Sequence, residues 1–153
     1  MKRSFLIRQA ALAVAALTGL GLALTASAAQ ERPFKGHADV VTTGVEEVPG
    51  GLLLTGSATG KATHLGRFTR TETLLLNPIT GTFAGTIVFT AANGDQLHAD
   101  VAGGFISPTT AVGTYTFTGG TGRFEDASGE AAFTAVTADG ANFDVTFKGT
   151  IQF

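Results

Sequence analysis

The sequence predicts an all-β protein, an eight-stranded antiparallel up-and-down β-barrel. Three observations lead there. From Arg32 onward the chain is a uniform texture of Thr, Val, Phe, Ala and Gly in short runs, broken by Gly, Asn, Asp and Pro, which is the signature of strands and turns. In the closing segment NFDVTFKGTIQF, Phe143, Val145, Phe147, Gly149, Ile151 and Phe153 alternate with Asn142, Asp144, Thr146, Lys148, Thr150 and Gln152. A period of two sustained that long marks a half-buried strand. Every connection between such runs is short, so sequence neighbours should pair antiparallel as a meander.

The elements follow in order. Residues 1–28 read as an export signal: Lys2, Arg3 and Arg8 form a positive head, an uncharged apolar run follows, and Ala26-Ser27-Ala28 offers small residues to a signal peptidase. A membrane anchor is the competing reading; the Ala- and Gly-rich core and the cleavable end speak against it. A single domain then spans 29–153, placed outside the cytoplasm as a secreted or periplasmic protein. Strands are predicted at 34–43, 52–63, 67–76, 82–91, 96–106, 111–118, 130–138 and 142–153. Turn sequences separate them, among them Asn93-Gly94-Asp95 and Asp139-Gly140, where glycine accepts a positive φ. Eight such strands can stack as a sandwich or close as a barrel. Consecutive short connections favour closure, which removes exposed edges, and the sandwich is the second choice. The interior of an eight-stranded barrel is filled by side chains or holds one small ligand. All but one of the twelve phenylalanines fall after the signal and suit that interior.

Composition excludes several function classes. Cysteine is absent, which rules out disulfides, a thiolate metal site and a cysteine nucleophile. Of ten Lys and Arg, three leave with the signal, and the remaining seven against twelve Asp and Glu give a net charge near −5. Without a basic run there is no electrostatic footprint for nucleic acid. Anionic membranes are unexpected partners after signal cleavage for the same reason.

The stretch TFTGGTGRFEDASGEAAF, Thr116 to Phe133, poses a choice between a phosphate cradle and a corner. A Walker loop needs a lysine followed by Ser or Thr and then a helix; here Arg123 follows Gly122 and the next segment alternates as a strand. The corner reading gives each part a task. Gly119, Gly120 and Gly122 permit a bulged exit and a tight bend, and Phe124 with Ala127 folds back as a plug over the barrel end.

This segment also carries a resemblance. GGTGRFEDASGEA resembles the G-G-[ST]-G-x-F-x-x-A-x-G motif shared by plant allene oxide cyclases and dirigent proteins. The preceding TAVGTYTFTGG is similar to the strand that leads into that motif. ATHLGRFT (Ala62–Thr69) and FTAANGDQL (Phe89–Leu97) resemble segments of secreted bacterial members of the same barrel superfamily. The similarity is clear from about Asp95 to Ala131. It implies a closed eight-stranded barrel, often a trimer, whose lumen in the plant relatives guides cyclisation or radical coupling of a hydrophobic substrate. It carries no catalytic residue over, because the shared glycine motif is architectural.

Candidate chemistry rests on parity. Phe68, Arg70, Glu72, Leu74 and Leu76 share one face of the third strand. If that face looks inward, Arg70 and Glu72 must pair, since a lone buried charge costs several kcal/mol. Such a pair orients a polar ligand or takes part in acid–base work, unless the other face is inward or a bulge flips the register. Tyr115 alternates with Ala111, Gly113 and Phe117; inside the barrel it is a proton donor or simply core. His64 beside a turn is a base or ligand contact at the barrel mouth, or a local backbone partner. His37 with Asp39 and His98 with Asp100 are i, i+2 pairs on faces that should meet solvent. Serines lack a nucleophile elbow. The outward threonines are good strand formers. Three functions follow: a binder of a small hydrophobic molecule in the lumen, without cofactor or metal; a cofactor-independent cyclase or isomerase using Arg70, Glu72 and Tyr115; or a structural barrel. The lumen separates them, since small inward residues such as Gly56, Gly60 and Gly103 either leave a void or make room for phenylalanines.

Overall fold

The computed structural model describes residues 29–153; the export signal read in residues 1–28 lies outside them. Eight strands follow one another: β1 (Arg32–Val48), β2 (Gly51–Ala62), β3 (Gly66–Leu76), β4 (Thr82–Ala91), β5 (Gln96–Ser107), β6 (Thr110–Gly120), β7 (Ser128–Thr137) and β8 (Asn142–Gln152). Each is antiparallel to the next, and β8 pairs back onto β1 to close the barrel. Closure therefore wins over the sandwich.

Seven strands begin and end within two residues of the predicted bounds. The first runs further, to Val48, through residues expected to turn. A β-bulge between Thr42 and Gly44 breaks the period of two there, and Gly44–Val48 go on pairing with Gly51–Thr55 beyond it. One extra residue shifts the parity, so the pattern no longer reads as a strand.

The two poles differ. At one lie the β2–β3, β4–β5 and β6–β7 connections together with Arg32 and Gln152; at the other lie the four remaining turns. The first pole is sealed. Gly119 (φ 116°) makes the bulged exit from β6, and Gly122–Phe124 forms a single 3-10 turn. That turn drives Phe124 into the barrel end, where Phe124 is fully buried beside Leu65 and Ala127 and packs on Phe153 at 5.1 Å. The corner is a plug, as its composition predicts.

Beneath the plug the lumen is filled by rings. Phe34 meets Phe117 edge-on at 4.8 Å and stacks on Phe147 at 5.4 Å, while Phe68 meets Phe89 edge-on at 5.4 Å. Burying each ring is worth about 2–3 kcal/mol before entropy is set against it. Small inward residues admit these rings. A Cβ on Gly60 would come within 2.6 Å of the Phe68 ring, so glycine is what lets that ring lie across β2.

Candidate functional site

The inward face of β3 does carry Arg70 and Glu72. Arg70 sits between Ala58 of β2 and Phe89 of β4, and Glu72 between Gly56 and Ile87. Tyr115 enters from the far wall on β6, between Val101 and Ala131. The three meet across the lumen. Arg70 donates Nε–H to Glu72 Oε2 at 2.9 Å, its Nη2 bonds the same oxygen, and Nη1 donates to Tyr115 Oη at 2.9 Å. Arg70 is 5% exposed and Tyr115 0%. A buried guanidinium is tolerable only because these partners and two ring faces surround it: its carbon lies 5.7 Å from the Phe89 centroid and 5.4 Å from that of Tyr115.

Local sequence sets this geometry. Period two in β3 keeps Arg70 and Glu72 on one face, close enough for a forked contact within one strand. Gly56 makes room for the carboxylate, since a Cβ there would lie 2.9 Å from Glu72 Oε1. Phe133 stacks on Tyr115 at 4.6 Å and fixes the phenol ring. Burial weakens the Arg70 charge, but the Tyr115 and Glu72 oxygens outweigh it and raise the guanidinium pKa above its ordinary value. Burial pushes the Tyr115 phenol up, against the pull of Arg70, so at neutral pH the ring carries its proton.

The hydrogen bonds leave two valences unused. Tyr115 Oη accepts from Arg70, and its own hydrogen finds no acceptor among the described residues. Glu72 takes both bonds from Arg70 on Oε2, which leaves Oε1 without a partner among the described residues. Both groups border a cavity of about 70 Å³ between the ring-filled half and the open pole. Its walls are Val40, Leu54, Leu74, Ile87, Val101 and Val145, and half-buried Phe83, Phe105 and Phe143 stand at the rim. The lumen is thus filled in one half and hollow in the other. Parity finds the polar trio; the rim phenylalanines and the stacking Phe133 carry no sequence signal beyond their inward parity.

His64 is elsewhere. It occupies the β2–β3 turn at the sealed pole with φ 66°, contacts the Pro33 carbonyl through Nε2 at 3.1 Å and packs edge-on against Phe153 at 5.3 Å. Its carbonyl receives Arg123. The structure therefore brings Arg70, Glu72 and Tyr115 together and leaves His64 outside the cavity. His37 and Asp39 are exposed on the outer wall, and His98 contacts Gln96 at 3.3 Å. Among the described residues no three His, Asp or Glu side chains converge as a metal site.

No protein-family model matches the chain, and no curated protein matches it in sequence. A solved structure matches in shape: that of the pterocarpan synthase dirigent protein GePTS1, with a TM-score of 0.61 over 81% of this chain and 88% of that one. The barrel has the fold of that dirigent protein. Sequence identity between the two is 15%, so the likeness is one of fold. It agrees with the resemblance carried by the Gly119–Ala131 segment, which here builds the plug and contributes nothing to the trio.

Proposed function

We propose that this dirigent-type barrel is an exported binder of a small apolar molecule, taken up through the open pole and held by one polar group at the Tyr115–Arg70–Glu72 trio. The observation that carries the reading is the pair of unused valences in a cavity whose other walls, Thr42 and Thr55 apart, are apolar. An apolar site with a few convergent polar groups is the ordinary make-up of a small-molecule pocket. A space of 70 Å³ admits only a few heavy atoms. The rest of any ligand lies among Phe83, Phe105 and Phe143, which are only half-buried.

Native mass spectrometry of the protein purified from its own host tests this reading. The expected result is a bound small mass that Leu54→Trp, narrowing the mouth, removes, and that Phe124→Leu at the other pole leaves in place. A chain without an adduct, whose Tyr115 ring resonances also ignore a panel of small apolar alcohols and ketones, overturns it.

A second reading has one observation in its favour. A protonated phenol held by a cation beside a carboxylate is a competent acid and base pair, which suits a cofactor-independent cyclase or isomerase. In that case Tyr115→Phe and Glu72→Gln abolish turnover while the adduct mass persists.

A further inference from the structure

The exposed cations are unevenly placed. Arg32, Lys35, Lys61, Arg67, Arg123 and Lys148 all lie in the half of the barrel nearer the sealed pole. Arg32 covers the Phe153 ring, and Arg123 covers Phe124 beside Asp95. The other four share one stretch of outer wall across β8, β1, β2 and β3. Lys35 stands directly opposite Lys148, and Lys61 directly opposite both Arg67 and His37. All five side chains are exposed, and among the described residues none forms an ion pair. Two shallow depressions meet at His37 and Lys61; Thr59 and Thr69 border one and Thr63 the other.

Like charges set directly opposite each other destabilise a sheet. An outward strand position accepts almost any polar residue, so two such pairs side by side are a cost that a bound anion would remove. The patch is a band, not a disc. Asp39 and Asp144, also directly opposite each other, bound it on the side of the open pole. With strands about 4.8 Å apart, the four-strand band runs roughly 14 Å around the barrel and is narrow along the axis. That shape suits a linear polyanion lying across the strands and leaves too little breadth for a lipid surface. Apart from the His37 imidazole, the exposed groups beside the cations are the hydroxyls of Thr59, Thr69 and Thr146, whereas the larger rings nearby, Phe68 and Phe147, are buried and face inward. Hydroxyls match sugars; bound single-stranded nucleic acid calls for exposed rings on which bases stack.

We propose that this wall binds an acidic polysaccharide, its carboxylate or sulfate groups meeting Lys35, Lys148, Lys61 and Arg67. The test is binding of the full exported chain to polygalacturonate and to heparin, with neutral dextran as reference, at low and rising salt. The wild-type chain is expected to bind at least one acidic polymer and not dextran, and to weaken as salt screens the contacts. The quadruple variant Lys35→Gln/Lys61→Gln/Arg67→Gln/Lys148→Gln is expected to lose at least ~10-fold in affinity. Its thermal midpoint should hold or rise, because both like-charge pairs are gone. Lys61→Gln alone gives a partial loss, and Arg123→Gln none. Failure of the wild-type chain to bind either polymer, or equal binding by the quadruple variant, overturns the proposal. So does a preference for phosphatidylglycerol vesicles or single-stranded DNA over both polysaccharides.

Discussion

The sealed and open poles are made from the same alternating strands, yet their inward positions serve different ends. Near the plug, phenylalanines from five strands interlock over glycines and alanines, and all five rings are buried. Near the mouth no pair of rim rings comes inside 6 Å, Phe83 meeting Phe105 at 6.1 Å and Phe105 meeting Phe143 at 6.4 Å, and all three are half-buried. Between the halves lies the polar trio, where a buried charge interrupts the apolar packing. Stability is concentrated at one pole, and room for a ligand at the other. The difference shows that a barrel need not choose between a filled core and a pocket, because successive layers of one lumen can do each.

The largest expected effect breaks the comparison directly. Phe34→Ala, in the ring-filled half, should cost about 3–5 kcal/mol in denaturant unfolding, whereas Phe143→Ala at the mouth should cost about 1–2 kcal/mol. Equal losses would mean that the halves are packed alike. At the boundary, Arg70→Met leaves Glu72 without its cation and should cost about 3 kcal/mol. The double variant Arg70→Met/Glu72→Gln should recover most of that loss, as expected when an unpaired charge is the cause.

Tyr115 gives an optical reading of the same boundary, since it is the sole tyrosine and tryptophan is absent. Its absorbance at the tyrosinate band should titrate above the ordinary pKa of about 10 in the folded chain and near 10 in denaturant. Because the folded phenol keeps its proton longer than the unfolded one, stability should fall as pH rises past about 10.

At the sealed pole, His64→Ala should cost no more than about 1 kcal/mol, the worth of the lost Pro33 contact, since alanine keeps a Cβ and relieves nothing of the positive φ. It should leave the binding of any lumen ligand unchanged. The smallest effect belongs to the open pole. Backbone N–H bonds from Asn142 and Ala141, with the Asn142 amide and the Thr137 hydroxyl, hold the Asp139 carboxyl well below its usual range. Its advantage over Asp139→Ala should be complete above pH about 4 and decline as acid is added below that, in a pH series of unfolding curves.

Much of this was legible in the chain. Period two in β3 and β6 is unbroken around Arg70, Glu72 and Tyr115, so parity alone aims them at the axis. The glycine-rich corner declares itself through Phe124, an apolar residue set among turn formers. Counting strands in the meander sets the His64 turn on the same pole as the plug, but parity is silent on which half of the lumen keeps a cavity. It is silent, too, on whether a ring leans over a neighbouring glycine or stands clear of it, which decides between void and core. The bulge after Thr42 hid the last third of β1. The cationic band was invisible because Lys35, Lys61 and Lys148 lie far apart in sequence and only the strand register sets them side by side.

The seam of the cylinder joins its first strand to its last: Arg32 pairs with Ile151, and Glu31 accepts a hydrogen bond from Thr150, 119 residues away. A chain made from its N-terminus must hold β1 unpartnered on one edge until β8 has emerged. That edge is also a template for the wrong partner, and pairing over such a separation is slow. Loss of β8 would leave a curled ribbon with two raw margins, prone to stitch itself to its neighbours.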